Sequence, residues 1–150
     1  MTPDPPPHVL REFSAQARRS YPYECCGVWL FDLIQQQHRW HPLSNRSSSP
    51  RDSFVFDTVE WLSLLDAQKR GEWKLLGSGH SHPDSAPLPS SRDLEQMLWE
   101  GRPAYPGLCW MICSVFEKRK SVEIAVYQWD ESCMIFSCTM RQSLTPPCAK

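Results

Sequence analysis

Two histidines, His80 and His82, flank a single serine, and Asp93 follows after a short segment that contains three prolines. On an extended strand, side chains two positions apart project from the same face, with Cα atoms roughly 6.5 to 7 Å apart. Two imidazoles at that separation can converge on one ion, at a zinc distance of about 2.0–2.1 Å. The apolar-rich run that begins at Trp73 predicts the strand and places both histidines at its end.

Ser90 and Asp93 stand at the start of an amphipathic segment that predicts a helix. A capping box, with Ser90 as N-cap and Asp93 in the third helical position, accounts for this pair by itself. The prolines of the preceding loop can also turn the first helical turn back over the strand end, which would bring Asp93 beside both imidazoles. Two His and one carboxylate leave a tetrahedral position open, as in catalytic zinc sites, whereas structural sites are closed by four protein ligands.

Glu24 directly precedes an apolar run, Cys25 to Phe31, that predicts an interior strand. A carboxylate at that position is unfavourable unless it stays solvated or finds a partner. Glu24 is therefore the candidate base that takes a proton from a metal-bound water. The alternative is a solvated residue that closes the turn after Pro22.

Taken together, these residues resemble the motif of the JAMM (MPN-plus, Mov34/MPN/PAD-1) metallopeptidases. That motif is a distant Glu, then His-Ser/Thr-His, seven residues, and Ser-x-x-Asp, and every catalytic position matches, as Glu24, His80, His82, Ser90 and Asp93. Weaker similarity to the short prokaryotic branch, around Cys25 to Gly27, Asn45 to Asp57 and Tyr105, extends the resemblance over residues 9 to 127. The residues from 130 onward resemble nothing in the family.

The resemblance implies a fold and a set of roles. The fold would be α/β (α+β), a single MPN-like, cytidine-deaminase-like domain in which helices flank a curved mixed β-sheet. His80, His82 and Asp93 would bind one Zn²⁺ per chain, Glu24 would be general base and acid, and the Ser90 hydroxyl would donate to the oxyanion. No other cofactor is implied.

By the same resemblance, the activity would be hydrolysis of an amide or isopeptide bond after the C-terminal tail of a ubiquitin-like or sulfur-carrier β-grasp protein. The short chain favours the prokaryotic branch, whose members release an amino acid from a sulfur carrier or cut its conjugates. The sequence does not choose between these two. The alternative from another class is a noncatalytic MPN scaffold that binds partners, although such scaffolds usually lack the ligands found here.

Two other zinc families fit less well. The tract from His80 to Asp84 matches the opening of the metallo-β-lactamase signature, His-x-His-x-Asp-His, but Ser85 replaces the last histidine and no His follows His82. Zinc deaminases need a Glu two residues after their His and a Cys-x-x-Cys pair. This sequence has neither.

Composition limits the partners. Sixteen basic and seventeen acidic residues provide no field for a phosphate backbone, so nucleic-acid binding is not expected. No apolar run approaches the roughly 18 residues of a membrane span, and Met1 to His8 lacks the features of a signal peptide. We expect a cytoplasmic protein without a membrane partner, for which a homodimer is allowed. The seven cysteines are odd in number and include no Cys-x-x-Cys pair, which predicts reduced and mostly buried thiols. The sequence shows no base that would activate Cys25 or Cys26 as a nucleophile.

The predicted organisation is a Pro-rich tail over 1–8, the metallopeptidase domain over 9–130, and an extension over 131–150 with one further strand. Trp40, Trp73 and Trp99 have polar neighbours and are predicted to be partly exposed, and the other four Trp to lie in the core. The predicted elements of the first half are a helix at 8–19, strands at 24–34 and 39–43, a loop at 45–50, and a helix from Asp57 to Gly71 with Glu60 in a capping box. The histidine strand and the Asp93 helix follow. A hairpin of 108–116 and 122–129 and a strand at 134–139 complete the prediction.

Overall fold

The computed structural model describes residues 3–144, so the predicted C-terminal tail beyond them, with Cys148, lies outside the described residues. A six-stranded sheet in the order β2-β1-β3-β6-β7-β8 forms its centre. The helices are α1 (Pro7–Ser20), α2 (Thr58–Lys69), α3 (Ser91–Met97) and a short 3₁₀ turn at Glu117–Arg119. The strands are β1 (Cys26–Asp32), β2 (Gln37–Leu43), β3 (Trp73–Pro83), β4 (Leu98–Trp99), β5 (Arg102–Pro103), β6 (Cys109–Phe116), β7 (Ser121–Asp130) and β8 (Ile135–Ser143).

The sheet is mixed. Strands β3 and β6 are parallel, whereas the other neighbours are antiparallel. Because parallel neighbours need a crossover connection, the chain leaves β3, passes through α3 and the small β4–β5 hairpin, and returns as β6. The predicted α+β domain with helices around a mixed sheet is confirmed.

Helices cover both faces of the sheet. Phe13 and Ala17 of α1 pack with Trp29 and Met111 on one face. Leu64 of α2 packs with Val28 on the other face, where Met97 of α3 contacts Ile112. Since neighbouring strand residues point to opposite faces, the alternation assigns His80 and His82 to the face of α2 and α3.

Two glycines allow α1 to pack closely against the sheet, on the face opposite to the histidine side chains. Gly27 of β1 and Gly79 of β3 are paired across the two strands. A Cβ on Gly79 would overlap the Phe13 ring, and one on Gly27 would lie 2.5 Å from the Trp40 ring. The absence of side chains here lets α1 pack directly against the strand that carries His80 and His82.

Several predicted details were wrong. The first strand begins at Cys26 and ends at Asp32, because the Asp32 carboxylate accepts the N–H groups of Ile34 and Gln35 and turns the chain. Glu24 therefore precedes the strand. Trp40 is 6% exposed, since its ring packs 4.2 Å from that of Phe13 and its Nε1 donates to Gln16.

Other differences are smaller. The side chain of Glu60 does not complete a capping box but accepts from the backbone and hydroxyl of Ser44, while Asp57 caps α2 as predicted. Trp61 and Trp129, predicted as core, are half-buried, whereas Trp99 is 71% exposed. The last strand is longer than predicted and pairs with β7 in the main sheet. None of the helices within residues 3–144 has the length and apolar character to span a bilayer.

Candidate metal centre

Three buried side chains from β3 and α3 meet at one point. The Asp93 Oδ2 atom lies 3.2 Å from His80 Nε2 and 3.1 Å from His82 Nε2. The two Nε2 atoms are 3.1 Å apart. Four ligands placed tetrahedrally at about 2.0 Å from a zinc ion are about 3.3 Å from one another. The three atoms therefore have nearly the spacing of three corners of such a site.

The loop after β3 fixes the orientation of His82. Its Nδ1 atom lies 2.9 Å from the carbonyl oxygen of Ala86, to which the Nδ1–H donates. In a neutral ring this leaves the lone pair on Nε2, the atom that faces the other two residues. The loop is itself held in place, because the Ser114 and Tyr127 hydroxyls donate to the carbonyls of Ser85 and Pro87. His82 is thus presented as a ligand before any ion binds.

Asp93 is both the capping-box residue of α3 and a candidate metal ligand. Its backbone N–H donates to Ser90 Oγ over 3.1 Å, and its Oδ2 accepts from the Ser90 N–H over 2.9 Å, which completes a capping box. The same Oδ2 faces both imidazoles. Although burial opposes ionisation, hydrogen bonds with His80 and His82 hold the pKa of Asp93 well below its usual range. The carboxylate is therefore ionised at neutral pH, as a metal ligand must be.

The two histidines differ in their protonation. Burial lowers the pKa of His80, whose ring stacks on Phe54 with centroids 4.4 Å apart. Burial also lowers the pKa of His82, but the bonds to Asp93 and Ala86 and the charges of Asp93 and Glu24 outweigh it and leave the pKa raised. Two imidazole nitrogens and one carboxylate oxygen suit a divalent cation such as Zn²⁺, which would displace the His82 proton on binding. His80, His82 and Asp93 therefore fit a zinc ion.

Glu24 approaches this site from the segment just before β1, the strand that pairs with β3. Cys26 of β1 pairs with His80 of β3, so the residues just before β1 lie beside the histidines. The backbone of Glu24 is tied on both sides: its N–H donates to Pro50 over 2.7 Å, and its carbonyl accepts from Asn45 Nδ2 over 3.0 Å. The residue is 7% exposed.

The carboxylate of Glu24 has no hydrogen-bond or ion-pair partner among residues 3–144, although its backbone has two. Burial, together with the charges of Asp93 and Asp52, raises the pKa of this carboxyl to about 7 against the opposing charges of His82 and Arg92. A carboxyl that titrates near neutral pH and has no competing partner can accept a proton and return it. The alternative, a solvated turn residue, does not agree with its burial.

Ser90 lies at the exposed rim of the site. Its Oγ accepts from the Asp93 N–H, so the hydroxyl proton remains to be donated to another oxygen. The five residues that the motif singled out are therefore brought together at the end of β3 in the positions described here. Their individual roles stay predictions.

Sequence reasoning missed three residues that build the site. The Ser81 hydroxyl accepts from the Cys25 N–H over 2.8 Å and joins the start of β1 to the histidine strand. Asn45 was placed in a surface loop, but its amide binds the carbonyls of Glu24 and Ser53. Phe54 supports the His80 ring. Only Ser81 had a sequence signal, its place between the two histidines, because the other contacts depend on the fold.

The thiols do not contribute a nucleophile here. Cys25 and Cys26 are both buried, and burial raises the pKa of Cys25 to about 11. Burial likewise raises the pKa of Cys26, Cys109 and Cys113. Thiols of this kind stay protonated at neutral pH and act as small apolar side chains.

Comparison with known proteins agrees with the family that the motif resembles. Residues 6–127 match the model of the family described as prokaryotic homologs of the JAB domain. A desampylase of Haloferax volcanii is 36% identical over 94 residues, which is 62% of this chain and 63% of that protein. A probable TtuB-protein conjugate cleaving protease of Thermus thermophilus is 34% identical over 94 residues, 63% of this chain and 62% of that protein. The chain thus matches less than two thirds of the length of either relative.

A solution structure of a protein from Desulfitobacterium hafniense superimposes with a TM-score of 0.63 at 26% identity, covering 93% of this chain and 87% of that one. The superposition therefore includes most of the sheet and helices described above. Because the family model spans well over half of the sequence and includes all five motif residues, the chain belongs to the prokaryotic homologs of the JAB domain, the prokaryotic branch of the JAMM/MPN family.

Proposed function

We propose that this protein is a zinc-dependent isopeptidase that hydrolyses the amide or isopeptide bond after the C-terminal tail of a ubiquitin-like or sulfur-carrier β-grasp protein. One observation carries the proposal most strongly: the Glu24 carboxylate, which has no hydrogen-bond partner among residues 3–144, lies close enough to His82 and Asp93 for their charges to shift its pKa, and these two residues converge with His80. A scaffold that only binds partners has no use for such a base. The names of the two relatives, a desampylase and a conjugate cleaving protease, support the choice of substrate.

The ligand set is His80, His82 and Asp93, one ion per chain. Two neutral imidazoles and a carboxylate favour Zn²⁺ over Mg²⁺ or Ca²⁺, which prefer oxygen ligands. When bound, the ion supplies Lewis-acid polarisation of the scissile carbonyl and lowers the pKa of its water. The buried position of His80, stacked on Phe54, keeps its ring from turning away from the site.

Glu24 moves the protons. Its carboxylate takes one proton from the attacking water and delivers it to the nitrogen of the leaving amine, so that it ends the cycle ionised again. Positioned proton transfer of this kind contributes about 10²- to 10⁴-fold in rate. The Ser90 hydroxyl donates a hydrogen bond to the carbonyl oxygen as negative charge develops there and keeps its proton, which is worth about 10²- to 10³-fold.

The test is cleavage of a conjugate joined through the Gly-Gly tail of a β-grasp protein, followed by gel shift and mass spectrometry. We expect cleavage directly after the tail, loss of activity in chelator, and recovery with stoichiometric zinc. An approach of backbone this close to the ion is easiest for Gly, so tails ending in Ala-Ala or Val-Val should be cut more slowly. Cleavage that persists after complete metal removal would contradict the metal role, and equal rates on all three tails would contradict the substrate.

A further inference from the structure

The loop that joins β3 to α3, residues 84–89, lies between two parts of the metal site. It follows the strand that carries His82, and it leads to Ser90, the N-cap of the helix that carries Asp93. In its middle, the Ala86 carbonyl oxygen lies 2.9 Å from His82 Nδ1. The conformation of this loop therefore affects the placement of two of the three candidate ligands.

The two ligand imidazoles are oriented by different means. The Ala86 carbonyl accepts from His82 Nδ1–H, which leaves the lone pair of a neutral ring on Nε2. His80 Nδ1, by contrast, is buried and has no hydrogen-bond partner within residues 3–144. Histidines that bind a metal generally donate their second N–H to an acceptor that fixes the ring, and changes to such partners typically reduce metal affinity. Among the described residues, this acceptor exists for His82 alone.

Two buried hydroxyls hold the peptide groups on either side of the Ala86 carbonyl. Ser114 Oγ of β6 donates to the Ser85 carbonyl, and the Tyr127 hydroxyl of β7 donates to the Pro87 carbonyl, each over 2.5 Å. Ser114 and Tyr127 are both buried, so bulk water has little access to either hydroxyl. The carbonyls of three consecutive residues are therefore engaged by side chains from three strands of the main sheet.

The remaining bonds of the loop act at other atoms. The Asp84 N–H donates to the Val115 carbonyl over 2.8 Å, and the Asp84 carboxylate accepts from the Tyr21 hydroxyl, so both bonds hold the start of the loop. The Leu88 N–H donates to the Ala86 carbonyl over 2.8 Å and closes a turn within the loop. In the described chain, the two hydroxyls are thus the side-chain groups that tie the flanks of Ala86 to the sheet.

We propose that Ser114 and Tyr127 are positioning residues of the metal site. Their hydroxyls fix the Ala86 carbonyl, the carbonyl fixes the Nδ1–H of His82, and the Nε2 lone pair is thereby aimed at the ion. The inference rests on the metal site of the proposed function and needs no substrate. Neither hydroxyl bonds a ligand side chain, so both residues act through the loop.

The first measurement is the zinc affinity of Tyr127→Phe and Ser114→Ala. Each substitution deletes one hydroxyl and leaves the rest of the side chain in place. The dissociation constant, measured by competition with a chromophoric chelator, should rise about 10- to 100-fold in each variant. A hydroxyl that only contributes to stability would ease unfolding in urea and leave the affinity of the folded protein unchanged. Wild-type affinity in either variant would overturn the assignment of that residue.

The second measurement follows the His82 ring itself. In the zinc-loaded protein, ¹H–¹⁵N NMR of the imidazoles should show a His82 Nδ1–H that exchanges slowly with water, because it is bonded to Ala86. Exchange should be about tenfold faster in both variants. The Nδ1–H of His80 is the reference within the same sample, since it is not bonded to the loop. Equal acceleration of both rings, or of neither, would contradict a path through Ala86.

Tyr105→Phe and Ser63→Ala are matched controls. Tyr105 is exposed, and its hydroxyl has no partner in the described chain. The Ser63 hydroxyl donates to the Val59 carbonyl over 2.9 Å, so its removal also costs a hydroxyl-to-carbonyl bond, but on α2. Both controls should keep the zinc affinity and the exchange rates of the wild type, and a matching loss in them would reject the proposal.

Failure of the proposed function is distinguishable from failure of this inference. A wild type that binds zinc but cleaves no conjugate would contradict the proposed function, while weaker binding in the two variants would still support the positioning role. A wild type that cleaves, with variants of unchanged affinity and exchange, would contradict the positioning role alone. A wild type without zinc affinity would contradict both.

Discussion

His80, His82 and Asp93 hold one another through contacts of 3.1 to 3.2 Å, whereas the Glu24 carboxylate contacts no partner in the described chain. We call the first three residues the ligand half and Glu24 with its backbone supports the base half. Both halves are buried, so burial alone does not separate them. The ligand half is arranged to hold an ion, and the base half leaves a carboxyl free to exchange a proton. In the proposed function, this difference separates metal binding from proton transfer within one small site.

The largest expected effect comes from the ligand half. His82→Ala should lose most of the zinc and essentially all activity, because two ligands rarely retain the ion. Metal analysis of purified protein measures this, against about one zinc per chain in wild type. His8→Ala is the control, since His8 is exposed and its ring, among the residues that the structure describes, bonds only the carbonyl of His38. Equal zinc in wild type and His82→Ala would remove the distinction between the halves.

Glu24→Gln tests the base half. The variant should keep its zinc and its fold while turnover falls by at least about 10²-fold, because the amide cannot accept the water proton. Glu95→Gln removes an exposed carboxylate that is not among the charges acting on Glu24, and it should change turnover little. Single-turnover cleavage and metal content, measured on the same samples, separate the two effects. Full activity of Glu24→Gln would place the base elsewhere.

Without metal, Glu24 should also make stability depend on pH. Burial raises its pKa from 4.5 to about 7, so the folded protein binds this proton more tightly than the unfolded chain. The stabilisation by the neutral carboxyl is present below pH 4.5 and is lost as the pH rises through about 7. The free energy of unfolding of Glu24→Gln, relative to that of the wild type, should therefore increase by about 2 kcal/mol between pH 5 and pH 8. Urea unfolding in chelator measures it, and an equal difference at both pH values would show that the carboxyl is not desolvated.

The smallest effect is expected at the support of the base half. Asn45→Ala removes the bond to the Glu24 carbonyl, together with bonds to Ser53, Ser47 and Val55, and none of these bonds involves a ligand side chain. We expect turnover to fall by about tenfold with unchanged zinc, as for other residues that orient a catalytic group. Ser48→Ala is an exposed control in the same loop. A loss of zinc in Asn45→Ala would mean that the two halves are not independent.

The local spacing of the motif determined much of the ligand half. Alternation along a strand places His80 and His82 on one face whatever surrounds them, and a helix cap fixes Asp93 relative to Ser90. These constraints act over a few residues, so the sequence was enough to predict the cluster, the mixed sheet with its helices, and the family. It also predicted that the chain would supply a carboxylate from a distant segment.

Tertiary structure alone decided how that carboxylate is held. Glu24 lies beside His82 only because β1 pairs with β3 in the register that sets Cys26 opposite His80, and its backbone is held by Asn45 and Pro50 from another loop. The burial of Trp40 has the same origin, since its ring packs against Phe13, which lies far away in the chain. Strand register and packing between distant segments have no local signature, because they are chosen by the free energy of the whole core rather than by neighbouring residues.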